Sequence, residues 1–123
     1  MNDILKTLLS KNNQYKQIYI YGDLSQEIHS KIIRFIVKEY TQIDFYDFNN
    51  KQDFNMHSEV LIFENFSLSN SNIEHQKSLK EFIEYRKKES LKTIILAKKH
   101  PKELENIDQE LVDFLQFGIV YKI

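Results

Sequence analysis

Cysteine is absent from this 123-residue chain, so neither a disulfide nor a thiolate metal site can be built, and the cytoplasm is the expected compartment. Only two glycines and one proline occur, and no stretch has the composition of a flexible linker or a low-complexity tail. Neither charge sign dominates: Lys and Arg total 17 against 18 Asp and Glu, a formal net charge of -1. That balance argues against a nucleic-acid partner held by bulk electrostatics. No apolar run approaches the ~20 residues needed to cross a bilayer, and Met1-Asn2-Asp3-Ile4-Leu5 lacks the pattern of a leader peptide. The four histidines, His29, His57, His75 and His100, are scattered without metal-ligand spacing. No serine sits in a G-x-S-x-G turn.

What the chain does contain is one domain's worth of residues, 41% hydrophobic and 28% charged. That is enough to bury roughly two thirds of the unfolded surface. Residues 3–11 predict an amphipathic helix capped by Asn2 or Asp3, with Ile4, Leu5, Leu8 and Leu9 on one face. A strand is expected at 17–21 and a helix at about 25–40, Asp23 with Gln26 offering a capping-box start. In a second strand at 43–48, Ile43, Phe45 and Phe48 alternate against Asp44, Tyr46 and Asp47, which suggests a sheet edge. Val60-Leu61-Ile62-Phe63, within a third strand at 59–63, is a continuous apolar run suited to burial on both faces. A polar loop over 66–72 leads into a helix at 73–88 with Ile73, Leu79, Phe82, Ile83 and Tyr85 inward. An apolar strand at 92–97, a helical stretch from Pro101 to about 116 broken near Asn106, and a last strand at 119–123 complete the pattern. The expected fold is therefore α/β: three layers around a five-stranded, mainly parallel sheet.

Seven Tyr and nine Phe invite a base-stacking platform, but most stand at inward spacing, Phe35, Phe45, Phe63 and Phe82 among them. Tyr15, Tyr19, Tyr21, Tyr46 and Phe66 are less clearly inward; clustered on the surface, they would mark a protein interface.

The stretch Ile18-Tyr19-Ile20-Tyr21-Gly22, followed by a helix, has the order a nucleotide-binding domain uses to hold phosphates. A P-loop needs G-x-x-x-x-G-K-[ST], its glycines letting backbone N–H groups curl around phosphate while Lys and the hydroxyl serve phosphate and magnesium. Counted from Gly22, the last three of those places hold Glu27, Ile28 and His29. A one-residue gap brings His29 to the lysine place and Ser30 to the hydroxyl place, and still no lysine. A unit charge ~4 to 6 Å from a phosphate, at an effective dielectric of ~20, contributes about 3 to 4 kcal/mol. A helix N-terminus returns only about 0.3 to 1 kcal/mol. With Asp23 and Glu27 in place of lysine, repulsion wins unless Lys31 or Lys98 swings in, so tight triphosphate binding is not expected.

Those residues, with Val60-Leu61-Ile62-Phe63-Glu64-Asn65, Thr93-Ile94-Ile95-Leu96-Ala97, Pro101-Lys102-Glu103-Leu104, Phe117-Gly118-Ile119 and Tyr121-Lys122-Ile123, resemble the core of the DnaA-type AAA+ ATPases and their short Hda-type relatives. The order matches the family's Walker A strand, Walker B strand, sensor 1 strand, proline-led helix and final core strand. The resemblance implies an AAA+-like P-loop sheet spanning residues 1–123, without the helical lid or a helix-turn-helix DNA-binding domain. It also implies vestigial nucleotide-site positions at Gly22, Glu27, Ile28, His29, Ser30, Glu64 and Asn65. Glu64 and Asn65 stand at the Walker B acids, Ala97 and Lys98 replace sensor 1 polar residues, and Phe114 falls at the arginine finger. The resemblance thus implies a non-catalytic, protein-binding regulator or adaptor of replication initiation, using no cofactor and no metal. Its expected partner is an initiator, sliding clamp, helicase or helicase loader, with Lys98, Lys99 and Phe114 as contact residues and no direct nucleic-acid or membrane contact.

Two alternatives stand beside it. One is a weak nucleotide-binding or NTP-hydrolysing domain using Ser30 and Glu64. The other is a receiver-like signalling domain, invited by Asp23, Glu64 and Lys98 at strand ends. Sheet order separates the receiver, which sets its first strand beside its third, from an AAA+ core, which inserts the fourth between them.

Overall fold

In a computed structural model describing residues 1–69 and 71–123, the expected alternation of strands and helices closes into one sheet. The elements are α1 (Asp3–Leu9), β1 (Gln17–Tyr21), α2 (Gln26–Glu39), β2 (Ile43–Asp47), β3 (Val60–Phe66), α3 (Ile73–Lys88), β4 (Lys92–Ala97), a 3-10 turn (Pro101–Glu103), α4 (Gln109–Leu115) and β5 (Ile119–Lys122). All four strand pairings are parallel, in the order β2-β3-β4-β1-β5. Tyr19 lies opposite Ile95 on one side and Val120 on the other. Because β4 separates β1 from β3, the sheet has the AAA+ order, and the receiver alternative fails.

Apolar runs in β1, β3 and β4 serve both faces. On one face Leu5 and Leu9 of α1 and Ile32 and Ile36 of α2 pack with Ile18, Ile20, Val60, Ile62, Ile94 and Leu96. On the other, Leu79, Phe82 and Ile83 of α3 and Leu111 and Leu115 of α4 meet Tyr19, Tyr46, Leu61, Phe63 and Ile95. Each such side chain contributes about 1.5 to 3 kcal/mol by leaving water. β2 and β5 form the edges.

Several local expectations need correction. α2 starts on Ser25, whose Oγ accepts from Ile28 N at 3.2 Å, and not on Asp23. In β2 two positions exchange places: Tyr46 is fully buried and Phe45 is 43% exposed, while Ile43 and Phe48 pack inward as expected. The Tyr46 hydroxyl donates to Gln52 O at 2.8 Å, and its ring joins Phe48, Phe54 and Phe63. Tyr19 and Phe66 are likewise core residues, so the less placed aromatics form no surface cluster. Ile4 and Ile73 are exposed, each standing in the first turn just after a capping asparagine. Tyr85 is also exposed, and its hydroxyl meets His57 Nδ1 at 2.9 Å. Gln76 and Arg86 take inward places on α3 instead. β3 runs on to Phe66 through a register shift after Phe63, with Asn65 left-handed at φ 54. The break near residue 106 is real: Asn106 has φ 57 between the 3-10 turn and α4. Asn70, within the loop expected over 66–72, lies outside the described residues.

Candidate functional site

Open parallel sheets bind ligands beyond the carboxyl ends of their strands, and there residues 22–25 join β1 to α2. Gly22 has φ +126, and a Cβ on it would stand 3.0 Å from Ile123 O, so the turn requires glycine. Gly22 N donates to Ala97 O, Leu24 N to Gly22 O and Ser25 N to Asp23 O. With Ile28 N bonded to Ser25 Oγ, the N–H groups that a P-loop would aim at phosphate are largely spent within the chain. The turn is also short. The helix is under way by Gln26, so Glu27 and Ile28 lie in its first turn rather than in a phosphate-wrapping loop.

From the second turn of α2, His29 reaches the end of β3: its Nε2 is 2.9 Å from Glu64 Oε2, with both side chains partly exposed. The pair joins the position the resemblance gives to the Walker A lysine to the one it gives to the Walker B acid. Glu27 faces solvent and pairs with Lys31 at 3.2 Å, so its charge is met on the helix surface and does not crowd the turn. Asp23 is exposed, Ser30 and Ile28 are half-buried. Asn65 turns away from the pair, its Nδ2 donating to Asp47 Oδ1 at 3.0 Å. That bond, with Asn49 N, holds the Asp47 carboxyl below its ordinary pKa.

Lys98 and Lys99 are exposed beyond β4. The Lys99 carbonyl accepts from the Tyr19 hydroxyl at 2.7 Å, and burial, with Glu103 and Tyr21 adding to it, raises the Tyr19 phenol pKa. His100, whose ring meets Tyr21 edge-on, caps the 3-10 turn by accepting from Lys102 N at 3.0 Å. Phe114 does not join the lysines. Half-buried, it packs on the aromatic core, and its carbonyl accepts from Gln17 Nε2 at 2.6 Å, at the opposite end of the sheet.

Sequence reasoning named His29 and Glu64 separately and missed their pairing. Among the described residues no group of three or more His, Asp or Glu is placed to hold a metal ion, and no helix is long and apolar enough to cross a membrane. Chemically, the pair offers an imidazole and a carboxylate, while the N–H groups of Gly22, Leu24, Ser25 and Ile28 are taken up within the chain and form no free nest to stabilise phosphoryl charge.

No family model and no curated protein matches the sequence. Solved structures do. AMPPCP-bound DnaA from Aquifex aeolicus superposes with a TM-score of 0.77 at 16% identity, over 98% of this chain and 44% of that one. Domain III of the Thermotoga maritima replication initiation protein DnaA gives 0.78 at 13% identity, covering 98% and 59%. A candidate primosome component from Streptococcus pyogenes serotype M3 gives 0.68 at 13%, covering 97% and 75%. The chain thus spans less than two thirds of either DnaA structure. At these identities the likeness establishes architecture, and the chain has the fold of DnaA domain III.

Proposed function

We propose that this domain is a non-catalytic, protein-binding regulator or adaptor in replication initiation, of the DnaA and Hda kind. The observation that carries the proposal is the His29–Glu64 contact at 2.9 Å, which joins two nucleotide-site positions to each other in a DnaA-like sheet. The self-bonded Gly22 turn supports the same conclusion, since a phosphate arriving there would find its backbone N–H groups already taken. Association then proceeds through surfaces of the AAA+ fold without an ATP-driven switch. The exposed Lys98 and Lys99 offer contact to an acidic protein surface; Phe114, being half-buried, contributes less than its sequence position implies.

Calorimetric titration with ATP and ADP in the presence of magnesium tests the first half. Silence at millimolar nucleotide is expected. A saturable micromolar isotherm would move the weak nucleotide-binding alternative ahead, with Ser30 and Glu64 as its residues, and loss of that isotherm in Glu64→Gln would secure it. Affinity capture from cell extract tests the second half. An initiator, clamp, helicase or loader is expected among the captured proteins, and repeated capture without any of them would sink the replication assignment.

A further inference from the structure

Residues 48–59, which carry the chain from β2 to β3, are fastened at both ends and held in the middle by hydrogen bonds at Gln52 and by the Phe54 ring. At the start, Asn49 N and Asn50 N donate to Asp47. At the end, Arg86 donates to Met56 O at 3.2 Å and Ser58 O at 3.0 Å. Between them, Gln52 meets the Tyr46 hydroxyl, and Phe54 stacks on Tyr46 at 4.7 Å and on Phe82 at 5.4 Å.

A third side of the Phe54 site is His75, with ring centroids 5.2 Å apart; Phe48 meets the same imidazole edge-on at 6.3 Å. Both His75 ring nitrogens are buried, and neither has a hydrogen-bond partner among the described residues. An unpaired buried polar group is rare enough to require an explanation. A neutral imidazole tolerates this contact with the Phe48 and Phe54 rings at a cost. An imidazolium would strand two charged N–H donors against phenyl rings, which demands water.

We infer that the strap of residues 48–59 is a pH-sensitive latch: protonation of His75 expels Phe54 from its site and bares the aromatic surface around Phe63 and Phe82. The surroundings favour this direction. His75 lines a cavity of about 580 Å³ together with Asp53 from the strap and Glu74 and Glu81 from α3. Those carboxylates stabilise the imidazolium once water reaches it. Lys51 on the strap opposes charge on the ring in the closed state, and the loop over residues 66–72 carries no titratable side chain. Burial first, and Lys51 second, lower the His75 pKa, in agreement with the geometry. The closed strap is therefore favoured above the ordinary histidine pKa of ~6.5, and the open fraction rises as pH falls below it, by up to about tenfold per pH unit for one proton.

His57, on the same strap, is the other imidazole nearby, its Nδ1 2.9 Å from the Tyr85 hydroxyl. The test is NMR of protein carrying 13C-labelled His and Phe rings, titrated from pH 7.5 to 5. Expected are a His75 midpoint below 6.5, and Phe54 ring signals moving toward unshielded positions with that same midpoint while Phe35 and Phe117 stay still. His57→Gln should behave as wild type, and in His75→Phe the Phe54 signals should not respond. A His75 midpoint at or above 6.5 with Phe54 unmoved would overturn the latch, as would Phe54 movement that persists in His75→Phe. Should that variant fail to fold, the agreement of the two wild-type midpoints decides.

Discussion

The two ends of the parallel sheet treat charge in opposite ways. At the amino end, where β3 and β4 begin, Arg86 is fully buried and donates to Thr93 Oγ1, Met56 O, Ser58 O and Lys92 O. Beside it Lys92 is 4% exposed, its Nζ directed at Leu8 O and Ser10 O past the end of α1. At the carboxyl end, Lys98 and Lys99 are exposed and His29 and Glu64 answer each other in partial contact with water. Burying a cation is costly unless oxygen atoms replace its hydration, and the molecule meets that cost where no ligand of an α/β sheet binds. Buried charge here serves the fold, whereas the charge at the ligand-facing end stays in contact with water.

Removing Arg86 should break this contrast most severely. Burial pulls its guanidinium pKa down to about 10, with Asp44 and Tyr85 acting the other way, so it stays charged at neutral pH. Arg86→Met leaves three carbonyls and a hydroxyl without their donor inside a closed space. Urea unfolding should report a loss of roughly 3 to 5 kcal/mol. A loss under about 1 kcal/mol would mean that water replaces the guanidinium without penalty and that the amino end is not the stabilising end. Arg86→Lys should recover little, because a point donor cannot serve four directions as a planar fork does.

Lys92 sharpens the same contrast with a smaller effect and a defined sign. Burial first and Lys16 second lower its pKa to about 8, against the pull of Glu39. A lowered lysine pKa means that the unfolded chain holds a proton the native protein gives up between pH ~8 and ~10.5, so native stability rises as pH increases across that window. The rise should be on the order of 1 to 2 kcal/mol between pH 8 and 10. It should vanish in Lys92→Met, which at pH 7 should lie within about 1 kcal/mol of wild type. Above pH ~10 the Tyr40 phenol, pushed up to about 12 by burial and by Glu39 and Glu59, works in the opposite direction. Wild-type stability that is flat from 8 to 10 would show Lys92 to be solvated in the native state.

Much of this architecture can be read from residue order, for a physical reason. β1, β3 and β4 are buried on both faces, so their apolar runs are unambiguous, and the crossover connections then leave few topologies. β2 misleads because an edge strand is sided by what its neighbours offer: Tyr46 turns inward since Gln52, in a patternless loop, accepts its hydroxyl proton. Arg86 stands on the Leu79, Phe82, Ile83 stripe of α3, so helical spacing marks its position as inward while its residue type argues against burial. At the candidate site, Gly22, His29 and Glu64 each carry a signal of their own. Their mutual geometry depends on where α2 begins, and Asp23 and Ser25 are both competent caps. The structure selects Ser25, and that choice fixes which α2 residue faces β3.

The smallest expected effect belongs to the His29–Glu64 pair, and it bears most directly on function. Both side chains keep about a third to a quarter of their exposure, 35% and 25%, so solvent screens their attraction and ordering the imidazole offsets part of what remains. A double-mutant cycle with His29→Ala and Glu64→Gln, followed by urea unfolding at pH 7, should give a coupling below about 1 kcal/mol. Neither single variant should create nucleotide binding, because removing the pair restores neither a lysine nor the N–H groups spent within residues 22–25. A coupling above about 2 kcal/mol, the range of buried networks, would place the pair in the structural framework beside Arg86, and the two ends of the sheet would no longer differ in kind. A weak coupling accompanied by a new ATP isotherm in Glu64→Gln would instead show that the carboxylate alone bars phosphate, making the carboxyl end a nucleotide site held shut by one residue.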